Sequence, residues 1–299
     1  MDDTALPEHR TGFVALVGVP NTGKSTLVNA LTGESLSIVT ARPQTTRQRV
    51  TAIYSTETHQ AIFVDTPGLL EPRYLLHESM QREAERGAVD ADVLVYVVDV
   101  GYERSMDHAA AYVPPAGPRP ILCLNKQDRV DVKALAAIRS RFQESGKWED
   151  VVPTTASARK GTDILLEAIL SRLPPGPALY PSEDLATAPV RFFVAEKIRE
   201  VCFKELEDEL PYCLAVGIGE YREESDPVFI EATIYIERNS QKGIVIGKGG
   251  RTIKRIGIRS RQSIEEFIGS RIYLDLRVKV LANWRKNPGK LKLLGYPVP

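Results

Sequence analysis

Cysteine is scarce, with Cys123, Cys202 and Cys213 the only three in 299 residues. They stand far apart with no C-x-x-C pair. That excludes a disulfide framework and a cysteine zinc site, and it fits a reducing, cytoplasmic compartment. Each reads as a small buried hydrophobe. Histidine is almost as thin: His9, His59, His77 and His108 share no ligand or triad spacing, so none receives a catalytic role. No apolar run approaches the roughly 18 residues of a membrane span. The start, Met1-Asp2-Asp3, is acidic and has no apolar segment, so no signal peptide is expected. Net charge is missing as well, because 39 Lys and Arg balance 39 Asp and Glu. What is present is 43% apolar residues, which excludes global disorder, and a length that predicts about two domains.

Through residue 173, apolar runs alternate with helical periodicity. Strands are predicted at Phe13–Val17, Thr51–Tyr54, Gln60–Asp65, Val93–Val98, Ile121–Leu124 and Val151–Thr155. Helices are predicted at 24–32, His77–Val89, Asp107–Tyr112, Val132–Gln143 and Asp163–Arg172. Residues 1–11 read as frayed, 34–48 as a loop and Pro114–Pro120 as a turn. The alternation predicts an α/β domain over 1–173, with a mostly parallel sheet and helices on both faces. Residues 174–189 are rich in proline and alanine and read as a linker. From 190 to 299 the order becomes α-β-β-α-α-β. A helix at Val194–Glu207 precedes a hairpin, Tyr212–Arg222 with Val228–Glu237. Helices at Gln241–Ile246 and Arg251–Ile268 and a strand at Ile272–Leu281 follow.

The stretch Gly18-Val19-Pro20-Asn21-Thr22-Gly23-Lys24-Ser25 matches G-x-x-x-x-G-K-[ST] between a strand and a helix. Glycines let backbone N–H groups turn onto phosphate oxygens, and the helix points its positive end at them. Gly18, Asn21, Thr22, Gly23, Lys24, Ser25 and Thr26 are the candidate phosphate contacts. Lys24 can reach the β- and γ-phosphates, and the Ser25 hydroxyl can hold Mg²⁺. At the end of a later strand, Asp65-Thr66-Pro67-Gly68 offers a carboxylate for Mg²⁺ and a Gly68 N–H for a γ-phosphate. Asn125-Lys126-Gln127-Asp128 follows another strand. A carboxylate at Asp128 can accept two parallel hydrogen bonds from guanine, while a buried one would be unpaired against adenine. Asn125 can tie this loop to the phosphate loop, and the Lys126 stem can lie over the base. Ala156-Ser157-Ala158 ends the next strand, where the Ala158 N–H can approach guanine O6.

With these motifs in this order, the first 173 residues resemble the GTPase superfamily. The resemblance makes Pro43-Gln44-Thr45-Thr46-Arg47 the first switch. Thr46, or Thr45 one residue earlier, would then meet Mg²⁺ and the γ-phosphate. Many such proteins carry a glutamine after Asp-x-x-Gly to orient the attacking water. Here Leu69 occupies that place and offers no hydrogen-bonding group. Slow hydrolysis, or water positioned by another group, follows. Pro20-Asn21 resembles GTPases in which an Asn helps hold K⁺ against the phosphates. Lys24, Thr46, Gly68 and Asn21 are thus the catalytic candidates, with Ser25, Thr46 and Asp65 at the metal.

Charge is segregated in the second half. Glu196–Glu237 holds 12 acidic against 4 basic residues, and Arg238–Pro299 holds 15 basic against 3 acidic. The basic residues surround Gly247-Lys248-Gly249-Gly250, between two helical segments. This resembles a KH domain, whose loop clamps about four single-stranded nucleotides. Gly247, Gly249 and Gly250 would admit the RNA backbone. Lys248, Arg251 and Lys254 would supply charge, and Ile244, Ile246 and Ile253 an apolar floor. Trp284 and Arg285 are further RNA candidates, although a tryptophan at a strand end is as often a core plug. The acidic stretch Glu205 to Glu209 reads as a solvated helix end.

A GTPase domain followed by this KH order resembles the Era family of ribosome-assembly GTPases, over about residues 12 to 290. The resemblance implies a GTP/GDP cycle with Mg²⁺, and binding of 16S rRNA near its 3′ end in small (30S) subunit maturation. It also implies peripheral contact with the inner membrane. A monomer with no DNA partner is the accompanying expectation. An ATP-using enzyme, or a plain RNA-binding protein with a structural nucleotide site, are the alternatives.

Overall fold

The computed structural model describes residues 9–40, 42, 44–68, 72–113 and 119–298. The readings placed on Pro43, Leu69, residues 1–8 and the turn at 114–118 lie outside the described residues.

In chain order the elements begin β1 (Arg10–Val17), α1 (Lys24–Thr32), β2 (Val50–Ser55), β3 (His59–Asp65), α2 (Leu75–Val89), β4 (Val93–Asp99) and α3 (Glu103–Ala111). They continue with β5 (Ile121–Asn125), α4 (Val132–Glu144), β6 (Asp150–Pro153), α5 (Thr162–Leu170) and α6 (Val190–Glu205). The chain ends with α7 (Leu210–Cys213), β7 (Ala215–Arg222), β8 (Val228–Ile236), α8 (Asn239–Ile246), α9 (Arg251–Ile268), β9 (Ile272–Val280) and α10 (Pro288–Leu293).

Two compact units result. The first holds one sheet in the order β2-β3-β1-β4-β5-β6. Only β2 runs antiparallel to its neighbour. All seven residues of β4 are buried, as a strand covered on both faces requires. On one face Leu94, Tyr96 and Val98 pack with Ala109 of α3 and Phe142 of α4. The carboxyl ends of β1, β3, β4 and β5 carry the phosphate loop, Asp65, Asp99 and Asn125. Ligands bind at such strand ends in open α/β sheets.

The segment expected as a linker lies along this first unit as far as Thr187. Buried Gln60 accepts from the Leu179 and Tyr180 N–H groups at 2.7 and 3.0 Å and donates to the Tyr180 carbonyl at 2.8 Å. Ala186 bridges Ala52, and the Ile53 N–H reaches the Leu185 carbonyl at 2.9 Å. A proline-rich chain makes no regular strand, yet here it caps the open edge of β2.

The second unit is a three-stranded sheet, β7-β8-β9, with β7 antiparallel and β9 parallel to β8. Its core joins Val194, Ile198 and Cys202 of α6 and Ile256 and Ile264 of α9 to Ile230, Ala232, Ile234 and Ile236 of β8. The chain enters β7 through the short α7, where a strand from Tyr212 is predicted. Pro211 occupies the first turn of that helix, where a missing N–H costs nothing. The described residues of 38–45 and 71–79 also belong to this unit. There Ser79 donates to the Pro297 carbonyl at 2.6 Å, and the Arg285 guanidinium lies 4.8 Å from the Tyr74 ring centre.

Candidate functional site

In the first unit, the turn from β1 to α1 wraps the Lys24 side chain. Gly23 has φ 97°, and a Cβ there would fall 2.4 Å from Asn125 Nδ2, so only glycine fits. Lys24 is buried, and its ammonium donates to the Gly18 and Val19 carbonyls at 3.0 and 3.2 Å. Burial lowers its pKa to about 8, and the Asp65 carboxylate opposes that shift. Thr22 is fully buried, its hydroxyl on the Val19 carbonyl at 3.1 Å. Asn21 has φ 66°, and Thr26 is half-buried at the start of α1.

The end of β3 places Asp65 beside the same loop. Its carboxylate is fully buried, and neither oxygen completes a hydrogen bond among the described residues. Burial pushes its pKa up, while the neighbouring Ser25 hydroxyl, the Lys24 ammonium and the Ser37 and Thr46 hydroxyls pull it down. The Ser25 and Thr46 hydroxyls lie 2.9 Å apart. Two hydroxyls and an unsatisfied buried carboxylate thus converge, a donor set of hard oxygens that suits Mg²⁺. Thr45 turns elsewhere, its hydroxyl on the Arg42 carbonyl at 2.8 Å and against Thr40 at 2.6 Å. Thr66 is fully buried with its hydroxyl on the Leu16 carbonyl at 2.7 Å, so only its backbone can serve a ligand. Pro67 and Gly68 are buried, and a Cβ on Gly68 would fall 2.8 Å from Pro20, so this strand end abuts the phosphate loop.

The loop expected to read a base is built around buried Asn125. Its Nδ2 donates to the Thr22 carbonyl at 2.8 Å, and its Oδ1 accepts from Thr154 and the Ala156 N–H, both at 3.1 Å. One side chain therefore ties three loops together. Asp128 is exposed rather than buried and makes no hydrogen bond among the described residues, which leaves both oxygens for a base. Ser157 and Ala158 are exposed. The Ala158 N–H departs from expectation, because it donates to the Thr155 carbonyl at 3.0 Å and closes the turn. Lys126, at φ 60°, donates to the Asn21 carbonyl at 2.6 Å and to Asp99 Oδ2 at 2.8 Å. Asp99 joins this cluster of side chains without being revealed by residue type or spacing. An Asp ending a β-branched run reads as a strand stop, and only its register opposite Asn125 exposes its position.

In the second unit, Gly247, Gly249 and Gly250 all have positive φ, at 75°, 61° and 76°, between α8 and α9. Lys248, Arg251 and Lys254 are exposed there, Ile244 is 58% exposed, and Ile246 and Ile253 are half-buried. Two expected RNA contacts are corrected. Trp284 is fully buried, donates to the Cys213 carbonyl at 2.9 Å and stacks on Tyr296, so it cannot meet a base. Arg285 pairs with Glu237 and packs on Tyr74, which occupies its guanidinium. Glu205 is no solvated helix end, because its nearly buried carboxylate binds Arg255 and Arg259 of α9.

The family described as "50S ribosome-binding GTPase" matches residues 13–126, and the KH domain family matches residues 209–285. Proteins called GTPase Era are similar along the whole chain. That of Clostridium acetobutylicum is 39% identical over 97% of this chain and 99% of its own. That of Mycolicibacterium smegmatis is 40% identical over 97% and 100%. Among solved structures, a variant of Aquifex aeolicus Era bound to GDP.AlF4- aligns at TM-score 0.91 and 33% identity, covering 97% of this chain and 100% of that one. A structure of Era with MgGDPNP and nucleotides 1506-1542 of 16S ribosomal RNA matches with the same TM-score, identity and coverage.

Proposed function

Because the chain belongs to the Era family of GTPases, we propose that it is a GTP-driven switch acting in small (30S) ribosomal subunit assembly. In this reading its KH unit binds single-stranded 16S rRNA near the 3′ end. Membership carries GTP hydrolysis with it. The observation that carries the site is the meeting of the Ser25 and Thr46 hydroxyls beside the unsatisfied, buried Asp65 carboxylate. These residues would hold Mg²⁺, which neutralises charge on the phosphates during transfer. Lys24 supplies a second positive charge, and Gly68 a backbone N–H beside the loop. Asn125 fixes the base pocket, and Asp128 favours guanine by accepting its two parallel donors, which adenine lacks. Asn21 holds a K⁺ ion that takes over part of the work for which Leu69 has no group.

The 16S rRNA target is supported by the similar structure that contains such a fragment. The exposed basic loop at 247–250 supports contact with a single-stranded phosphate backbone, and the choice of RNA rests on the KH match and the similar rRNA-containing structure. Coupling between nucleotide and RNA is supported by the unit division, since the described residues just before Thr46 and beyond Gly68 belong to the second unit. Cytoplasmic residence and a monomeric state go with this reading. No described helix is long and apolar enough to cross a membrane, and peripheral membrane contact rests on the family resemblance alone.

Sequencing RNA crosslinked to residues 190–299 in each nucleotide state tests the reading. Enrichment of the 16S 3′ end, differing between GTP and GDP, is expected. Random RNA, or the same yield in both states, counts against it. ATP that displaced labelled GTP would revive the ATP-using alternative.

A further inference from the structure

The carboxylate of Asp99 sits at the end of β4 with 5% of its side chain exposed. It accepts from Lys126 Nζ at 2.8 Å, from Arg129 Nη1 at 2.9 Å and, through Oδ1, from the Gly101 N–H at 3.0 Å. The Arg129 stem lies flat on Gly101, where a Cβ would fall 2.9 Å from it. The turn after β4 is therefore shaped to bring two cations onto one carboxylate. Lys126 spends a second proton on the Asn21 carbonyl at 2.6 Å, so its ammonium is stretched between the phosphate loop and Asp99. The stem that leads to this fixed ammonium is the part offered to a base.

We propose that Asp99 is a positioning residue for guanine-nucleotide binding, which clamps the Lys126 ammonium against the phosphate loop so that its stem stands in place before the base arrives. The inference rests on the reading of Asn125–Asp128 as the base-reading loop. A long lysine otherwise samples many rotamers, and holding it in advance removes that ordering cost from binding. A nearly buried carboxylate makes the clamp strong, because charged hydrogen bonds gain in a low dielectric. Arg129 keeps the carboxylate partnered and in place when Lys126 moves.

The test measures release and affinity of fluorescently labelled GDP on the full chain, for wild type, Asp99→Asn, Lys126→Met and the double variant. Asp99→Asn keeps the size of the side chain and loses its charge. It is expected to weaken GDP binding roughly tenfold or more, mainly through faster release. In the Lys126→Met background, the same change is expected to have no further effect on affinity. Thermal unfolding without nucleotide separates a folding defect, and Asp99→Glu is expected to restore part of the affinity. Wild-type affinity in Asp99→Asn, or effects of the two substitutions that simply add, overturns the proposal. Failure of the wild type to prefer GDP over ADP overturns the base-reading assignment instead.

Discussion

Lys126 donates its ammonium to the backbone carbonyl of Asn21 at 2.6 Å, and both residues adopt positive φ, 60° and 66°. Neither is glycine, so each conformation costs energy that the surroundings must offset. The bond fixes the tip of the phosphate loop, where Asn21 is an exposed residue. In the proposed reading, Asn21 there helps hold a monovalent ion against the phosphates. GTP hydrolysis is therefore expected to run faster in KCl than in NaCl, with Asn21→Ala removing most of the difference. Equal turnover in the two salts contradicts an ion held by Asn21.

Lys24 gives a pH dependence. Burial lowers its pKa to about 8 from an ordinary 10.5. Bound phosphate favours the charged form and raises the pKa again. Below about pH 8 the ammonium is already charged, so affinity should be flat. Above it, nucleotide binding must take up a proton, and affinity should fall by up to about tenfold per pH unit. Calorimetry in buffers of different ionisation enthalpy would report that uptake. Without nucleotide the sign reverses: the unfolded chain holds this proton up to 10.5, so the Lys24 contribution to stability rises between pH 8 and 10.5.

Trp284 gives a stability test that separates core from RNA contact. It is fully buried and bonded to the Cys213 carbonyl. Trp284→Ala should cost about 3–5 kcal/mol in denaturant unfolding. Trp284→Phe should lose less stability and keep RNA affinity, measured by fluorescence anisotropy. A tenfold loss of RNA affinity in a stable Trp284→Phe protein would restore the stacking role.

The strand–loop–helix at 13–32 and the run at 93–98 were legible because buried parallel strands are unbroken and apolar. The placement of the phosphate loop, of Asp65 and of Asn125 at strand ends follows from residue type and spacing. Other features depend on distance through space. Asp99 gains its meaning only opposite Asn125, and Glu205 only beneath α9. Trp284 sits in a run of basic residues that looks like an RNA surface, but its ring goes inward because a large apolar side chain gains more from the core. The proline-rich 174–187 stretch has no periodicity, so its place on the edge of β2 is written in Gln60, far away in sequence.

The basic loop sets a salt dependence. Lys248 and Arg251 are exposed beside the glycines. Replacing both with alanine should weaken RNA binding across sequences. It should also lower the slope of log affinity against log salt by about 0.7 for each phosphate left without its cation. An unchanged slope would place the RNA elsewhere.

If nucleotide state controls RNA binding, the two ligands must bias one another's affinity by the same factor. A titration of an oligonucleotide of the 16S 3′ end into the full chain reads this out, with the protein loaded in turn with Mg²⁺ and a non-hydrolysable GTP analogue or with GDP. RNA affinities that differ between the two states are expected. Added RNA should then shift the preference for the GTP analogue over GDP by that same factor. Indistinguishable RNA affinities in the two states would contradict a nucleotide-controlled switch.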